Sequence, residues 1–285
     1  MILATSIFAG SLVAAALMLA GLRPILASEA LKRRNYAGRD VFTAAGLLLA
    51  PVYALAFVVS VIAARPENVS SAPQALLVLV LGFTVLGLLD DLLGGDGARG
   101  FKGHLKSLFK GRVTTGMLKA GGGILLALAA SAFLKTHVWE VLLDGAIIAL
   151  AANLFNELDA SPGRSTKIFV PASVALVAVL WNSGTGYSAY APAVLAGALV
   201  LLPGDLGEKR MLGDTGSNTL GATIGLGLAL LPSAWWRLGF MVFLLAANVL
   251  LDRFSLSTLI ERNRVLSWLD SLGRKGEKVA AANYN

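Results

Sequence analysis

Residues 74–93, with the sequence QALLVLVLGFTVLGLLDDLL, decide the fold class of this chain. Apart from Gln74, Thr84 and the two aspartates near its end, the stretch is made of apolar residues and glycine. A helix needs about 20 mostly apolar residues to cross a bilayer. The stretch therefore predicts a membrane-spanning helix that ends in two adjacent carboxylates, Asp90 and Asp91.

Further apolar runs of the same kind extend along most of the chain. They cover residues 2–26, 43–64, 115–134, 138–156, 168–181, 189–203, 218–232 and 235–254. The chain is 56% hydrophobic and only 14% charged, whereas soluble domains carry roughly 25% charged residues. We therefore expect an all-α polytopic protein of the plasma membrane with about nine transmembrane helices. Residues 1–255 would form the membrane domain, and residues 256–285 an amphipathic tail on the cytoplasmic surface.

The composition excludes several kinds of site. The chain has no cysteine, which excludes disulfides, thiolate catalysis and cysteine-ligated metals. With only two histidines, His104 and His137, a bound metal would be a hard cation with oxygen ligands. The net charge of +7 does not predict nucleic-acid binding, because no stripe of basic residues alternates with aromatic ones.

The distribution of the basic residues predicts the orientation in the membrane. Of the 24 Lys and Arg residues, all but Arg65, Lys135 and Arg237 fall on one side of the nine-helix arrangement. Cytoplasmic loops carry an excess of Lys and Arg. We therefore expect the N-terminus outside and the C-terminus in the cytoplasm.

Three acidic residues at predicted helix ends are candidates for catalysis. Asp90 and Asp91 lie at a helix C-terminus, where the helix dipole disfavours carboxylates, so capping of their own helix does not explain them. They are either solvated loop charges or part of a site for a hard cation or a general base. Asp214 precedes a helix and could be an ordinary N-cap. Alternatively, Gly213 and Gly216 would leave the backbone open to a phosphate, and Asp214 would hold the bridging cation.

The segment NLFNELDASPG, residues 153–163, is a candidate for substrate binding. Asn153 and Asn156 share a helix face, and Asp159 follows one turn later. Helix termination explains Asp159, but an amide inside an apolar run, such as Asn153, needs a partner. The loop before the fourth predicted span supplies positive charges for a diphosphate: Arg99, Lys102, Lys106, Lys110, Arg112 and Lys119. Lys119 is preferred among them because it precedes three glycines at the start of a span.

Four segments, in order, resemble the polyprenyl-phosphate N-acetylhexosamine-1-phosphate transferase family. They are KRRNYAGRDVFTAAG (32–46), GLLDDLLG (87–94), NLFNELDASPG (153–163) and MLGDTGSNTLG (211–221). The resemblance implies transfer of a sugar-1-phosphate from a UDP-N-acetylhexosamine to a polyprenyl phosphate. Mg²⁺ would assist, UMP would leave, and the product would serve cell-envelope glycan synthesis. A homodimer is an assembly that the resemblance allows.

The resemblance also implies roles for single residues. Asp90, Asp91 and Asp214 would be catalytic, with Asp214 and Asp91 holding Mg²⁺. The substrate would contact Lys119, Asn153, Asn156, Asp159, Gly213, Gly216 and Ser217.

Two departures from the family pattern keep another interpretation open. Ala160–Gly163 replaces a Gly-x-Asp-Gly sequence, and residues 252–285 contain no histidine. A non-catalytic member that binds a polyprenyl lipid or an envelope-assembly partner is the alternative. An ion-coupled transporter is less favoured, because only Asp144 lies deep in a predicted span.

Overall fold

The computed structural model describes residues 2–35, 38–64, 70–94 and 115–274. Within these ranges the chain forms helices at each of the predicted apolar runs. They are α1 (Ile2–Leu26), α2 (Leu49–Ala64), α3 (Ser71–Leu93), α4 (Thr115–Ala132), α5 (Val138–Leu158), α6 (Arg164–Val179), α7 (Tyr187–Leu206), α8 (Gly213–Ala229) and α9 (Ala234–Arg253), followed by α10 (Leu256–Glu261) and α11 (Arg264–Ser271). The predicted all-α class is confirmed, and the helices suit a polytopic membrane protein.

Seven helical segments in the described part of the chain are long and apolar enough to cross a membrane. They are Ile2–Leu26, Ala45–Ala63, Ser71–Leu93, Thr115–Ala132, Val138–Leu158, Tyr187–Leu206 and Ala234–Arg253. The other two predicted spans form α6 and α8, which have only 16 and 17 residues. A total of nine spans and their orientation therefore stay predictions.

Helix α8 lies at the centre of the bundle. All of its residues except Asp214 are buried, because α3, α5 and α6 surround it. Close packing on these sides explains why the helix is rich in glycine and threonine. The hydroxyls of Thr219 and Thr223 each donate to the backbone carbonyl four residues earlier, at 2.9 Å, so the buried polar groups are paired inside the helix itself.

A small β-hairpin in the first loop is an addition to the predicted all-α fold. Its strands, β1 (Lys32–Arg34) and β2 (Asp40–Phe42), pair antiparallel. Phe42 continues the pairing with the segment before α8, because its carbonyl accepts a hydrogen bond of 2.7 Å from the Met211 N–H. A 3-10 turn (Ala45–Leu48) follows, where Gly46 N–H donates to the Leu212 carbonyl at 3.0 Å. The first loop thus holds the start of α8 in place.

The hairpin also fixes the end of α3. The Arg33 guanidinium donates to the backbone carbonyls of Asp91 at 2.7 Å and Leu92 at 3.1 Å. These carbonyls have no partner within the helix, because they belong to its last turn. Arg33 therefore caps α3 at the point where its two aspartates lie.

The tail forms two short helices, α10 and α11, where the sequence analysis expects one. The chain turns at Asn263, whose Oδ1 accepts hydrogen bonds from the N–H groups of Val265 and Leu266 at 3.0 and 3.1 Å. An asparagine in this position starts a new helix. Residues 275–285 of the predicted tail lie outside the described ranges, as do the predicted counter-charges Arg99, Lys102, Lys106, Lys110 and Arg112.

Asp144, near the other end of α5 from Asp159, is a fully buried residue with a charged partner. The Arg237 guanidinium of α9 donates to both of its carboxylate oxygens at 2.9 Å and to Glu140 at 2.8 Å. A carboxylate paired in this way has a structural role, since removing the arginine would leave a buried charge alone. This ion pair gives Asp144 a structural interpretation beside the transporter alternative.

Candidate functional site

Asp90, Lys119 and Asp214 form one cluster at the meeting point of three helices. Asp90 lies in the last turn of α3, Lys119 in the first turns of α4, and Asp214 in the first turn of α8. The Lys119 ammonium forms a short ion pair with the Asp214 carboxylate, and its Nζ lies 3.6 Å from Asp90 Oδ2. Three of the predicted site residues, distant in sequence, thus converge.

The two carboxyl groups of this cluster lie next to each other. Both contact the Lys119 ammonium, and the two groups influence each other's protonation. Two carboxylates this close repel unless a proton or a cation lies between them. The pair is therefore suited to hold a proton or a positive ion.

The Asp91 side chain points away from this cluster, and both of its carboxylate oxygens accept hydrogen bonds. Its Oδ2 accepts hydrogen bonds from the N–H of Thr215 at 3.0 Å and from the Thr215 hydroxyl at 2.6 Å. Its Oδ1 accepts from the Asp214 N–H at 3.2 Å and from the Thr43 hydroxyl at 3.3 Å. A carboxylate offers about four acceptor positions, so no position of Asp91 is left for another ligand.

Asp91 therefore caps α8 from a neighbouring helix. A carboxylate at a helix N-terminus pairs free N–H groups and interacts favourably with the helix dipole. Asp214, for which capping is the competing interpretation, instead directs its carboxylate to Lys119.

The backbone at Gly213 and Gly216 is buried, so the open phosphate-binding surface expected there is not found. Gly213 has a positive φ of 73°, and a Cβ there would lie 2.6 Å from Asp91 Oδ2. A Cβ on Gly216 would lie 2.9 Å from the Cα of Gly46. Both glycines thus allow Asp91 and the first loop to approach the start of α8.

Asn156 and Ser217, both predicted to bind substrate, contact each other. The Ser217 hydroxyl lies 3.2 Å from Asn156 Oδ1 and 3.0 Å from the Gly213 carbonyl, either of which accepts its hydrogen. Asn156 remains partly exposed. The pair connects the end of α5 to the start of α8, beside the carboxylate cluster.

Asn153 has its partner on α9. Its amide donates to Asn248 Oδ1 at 2.7 Å, and the Asn248 amide donates to the carbonyls of Leu150 and Leu244 at 3.1 and 2.7 Å. Asn248 thus supplies the partner that an amide inside an apolar run needs. The sequence contained a signal for this pair, because Asn248 is itself an amide inside an apolar run.

Asp159 lies in a cleft beside the cluster. The cleft has a volume of about 330 Å³ and is lined by Arg34, Asn35, Val41, Asp159, Ala160, Ser161, Pro162, Asp205, Glu208 and Met211. Burial raises the pKa of Asp159 well above its usual range, and the nearby charges of Asp205, Asp214 and Asp91 raise it further.

The sequence analysis missed two acidic residues of the cleft, Asp205 and Glu208. Asp205 Oδ2 accepts a hydrogen bond of 3.0 Å from the Gly163 N–H, which closes the loop after Asp159. Glu208 has a positive φ of 51° and binds the side chains of Asn35 and Arg39. The sequence pattern that could have identified these two residues is a pair of acids directly after an apolar run, next to Lys209 and Arg210.

The carboxylates meet part of the requirement for Mg²⁺. Among the described residues, no group of three or more acidic or histidine side chains is close enough to hold a metal ion. Mg²⁺ is usually bound by one or two carboxylates together with waters and substrate phosphates. Asp90 and Asp214 offer these one or two carboxylates, whereas Asp91 does not. No protein-family model and no curated protein matches this chain.

Proposed function

We propose that this chain transfers an N-acetylhexosamine-1-phosphate from a UDP-sugar to a polyprenyl phosphate at the cytoplasmic face of the plasma membrane. The observation that carries the proposal is the convergence of Asp90, Lys119 and Asp214, although Lys119 and Asp214 are 95 positions apart. Carboxylates beside a lysine are the parts of a phosphoryl-transfer site. The four segments that resemble the transferase family supply or surround this cluster.

Within this proposal, Asp90 and Asp214 would hold Mg²⁺ together with the phosphates of the substrates. When bound, the ion would neutralise negative charge on the phosphate oxygens and polarise the phosphorus that is attacked. Lys119 contacts the same oxygens as a point charge. An oxygen of the lipid phosphate forms the new bond to the sugar-linked phosphorus, the bond from that phosphorus to the bridging oxygen breaks, and UMP leaves. Asp90 accepts the proton when the lipid phosphate arrives protonated.

Asp91 takes a positioning role in place of the catalytic and metal-binding roles that the sequence predicts for it. Its oxygens accept four hydrogen bonds, and a metal ion would have to displace some of them. By holding the first turn of α8, Asp91 directs Asp214 toward Asp90.

The cleft beside the cluster is the proposed site for the nucleotide-sugar. Asp159 lines it, and Asn156 lies one helical turn earlier. The Asp159 carboxyl group offers acceptor oxygens to amide or hydroxyl groups of the substrate. The cleft has a volume of about 330 Å³, which suits part of a nucleotide-sugar. The rest of the substrate would extend toward Lys119.

Nine spans with the N-terminus outside would place this site in the cytoplasm. Helices α6 and α8 are close to the shortest length that crosses a bilayer, about 17 residues. If both cross, the ends of α3, α5 and α7 and the starts of α4 and α8 share one side, in agreement with their mutual contacts. Single cysteines introduced at the exposed Ala160 and at Thr185 test this, since only one of them should react with an impermeant thiol reagent in intact cells.

The decisive experiment is a transfer assay with the purified protein. Polyprenyl phosphate, Mg²⁺ and a panel of labelled UDP-sugars should yield a labelled lipid with at least one sugar, and Asp90→Asn or Asp214→Asn should abolish it. If no product forms with any sugar while a known transferase works in parallel, the proposal fails.

Calorimetry separates the non-catalytic alternative from an active enzyme. Binding of polyprenyl phosphate without Mg²⁺-dependent binding of UMP or a UDP-sugar would support a lipid-binding protein. The proposed homodimer is tested by the mass of the detergent-solubilised protein.

A further inference from the structure

Helix α11 presents an apolar face to the outside of the bundle. Val265, Trp268, Leu269 and Leu272 follow the i, i+3, i+4, i+7 spacing of one helix face, and their exposed fractions are 65, 60, 45 and 41%. A surface helix of a soluble protein turns such a face inward. Here the apolar face points away from the protein.

The opposite face of α11 is held to the bundle by charged groups. The Asp270 carboxylate accepts hydrogen bonds from Arg164 Nε at 2.8 Å and Nη2 at 3.1 Å, and from Arg274 Nη2 at 2.6 Å. The Arg164 side chain is only 5% exposed. A bidentate pair with a buried arginine restricts rotation, so α11 cannot roll to bury its apolar face.

Lys167 strengthens this attachment. Its ammonium donates to the backbone carbonyls of Asp270 and of Leu272, the latter at 3.1 Å. These carbonyls belong to the C-terminal end of α11, where a positive charge is favourable. The orientation of α11 is thus determined by contacts along its polar side.

The position of the tail in the chain indicates what covers the apolar face. Helix α9 is long and apolar enough to cross a membrane, and it ends at Arg253. Helix α10 begins at Leu256, and three residues span at most roughly 10 Å. The tail therefore starts at the membrane boundary. The exposed Arg262 and Arg264 lie beside the apolar face and complement anionic headgroups.

We propose that α11 lies in the boundary between headgroups and acyl chains of an anionic leaflet, with Val265, Trp268, Leu269 and Leu272 inserted. Asp270 and Arg164 keep it in this orientation. The Arg274 guanidinium also donates to the carbonyl of Pro162 at 3.4 Å, and Pro162 lines the cleft. The leaflet therefore supports one wall of the cleft. This inference goes beyond the transferase proposal and does not depend on it.

The absence of native cysteine makes a direct test simple. Val265→Cys and Leu269→Cys are placed on the apolar face, and Ser271→Cys is the matched control because Ser271 is exposed on the polar flank. Each full-length variant is spin-labelled and reconstituted in vesicles of phosphatidylcholine and phosphatidylglycerol. Collision with oxygen, which is concentrated in lipid, is compared with collision with a water-soluble nickel chelate.

We expect the labels at Val265 and Leu269 to favour oxygen several-fold more than the label at Ser271. If all three labels meet the nickel chelate equally, the proposal is overturned. If the two apolar-face labels are shielded from both reagents and couple to each other between copies, a second chain covers the face and the proposal is equally overturned.

A second comparison tests whether the insertion of α11 requires anionic headgroups. In vesicles of phosphatidylcholine alone, the oxygen preference at Leu269 should decrease, and an Arg262→Gln, Arg264→Gln double variant should lose most of the difference between the two vesicle types. If the oxygen preference at Leu269 is the same in both vesicle types and in the double variant, the preference for an anionic leaflet is overturned. Circular dichroism verifies that every variant remains folded, and light scattering verifies that it is monodisperse, before reconstitution.

Discussion

The carboxylate of Asp91 binds both the backbone N–H and the hydroxyl of Thr215, at 3.0 and 2.6 Å, although the two residues are 124 positions apart. This contact joins the last turn of α3 to the first turn of α8. Asp90, the adjacent residue, instead faces Lys119 and Asp214. Neighbouring aspartates thus have different tasks, one in the structure and one in the proposed chemistry.

The first prediction separates these two tasks. Asp91→Asn should lower the Tm clearly, because an amide loses acceptor positions and leaves buried donors unpaired, at about 1–3 kcal/mol for each group. Asp90→Asn should abolish transfer and leave the Tm near that of the unmodified protein. Thermal unfolding in detergent measures both. Equal losses of Tm would contradict the assignment.

The second prediction concerns the hydroxyl that binds Asp91. Thr215→Val removes a buried hydrogen bond to a carboxylate, which contributes about 1.5–3 kcal/mol, so the Tm should fall. Thr223→Val is the matched control on the same helix, because its hydroxyl donates only to the carbonyl of Thr219. The control should be close to neutral. A larger loss for Thr223→Val would argue against the cap.

The third prediction tests the role of Lys119 between two carboxylates. Lys119→Met removes the counter-charge, so Asp90 and Asp214 should bind divalent cations several-fold more tightly while transfer is lost. Paramagnetic resonance of free Mn²⁺ measures this affinity. Lys135→Met serves as the control. Lys135 pairs with Glu140 at 3.8 Å near the start of α5, away from this cluster. If Lys119→Met leaves Mn²⁺ binding unchanged, the cation does not lie at this pair.

The fourth prediction follows from Asp159, whose pKa is raised by burial and by neighbouring acids. The folded state holds the proton more tightly than the unfolded state, so its stability falls as pH rises from the ordinary value of 3.8 to the raised value. Asp159→Asn removes this loss, because an amide does not titrate in this pH range. The Tm of the variant should exceed that of the unmodified protein more at pH 8 than at pH 5. An equal difference at both values would contradict the raised pKa.

The fifth prediction concerns the buried pair of Asp144 and Arg237. Arg237→Met leaves a buried carboxylate without its main partner, which typically costs about 3–5 kcal/mol. Adding Asp144→Asn removes the charge and should restore part of the Tm. If the Tm of the double variant is no higher than that of Arg237→Met, the two residues are not energetically coupled.

The fold class was predictable because it depends on local composition. An apolar run of span length is a property of contiguous residues, and each predicted run contains a helix. The hairpin at residues 32–42 was not predictable, since its strands are three residues long and depend on pairing with each other and with Arg210. The break at Asn263 was missed because the apolar spacing continues on both sides of it.

The sequence by itself determined the membrane class, the helix positions and the location of acidic residues at helix ends. Tertiary structure decided which neighbours each acid contacts. Successive residues on a helix point about 100° apart, so Asp90 and Asp91 necessarily face different neighbours. Only the packing of α3 against α4 and α8 placed Lys119 beside one carboxylate and the free N–H groups of α8 around the other.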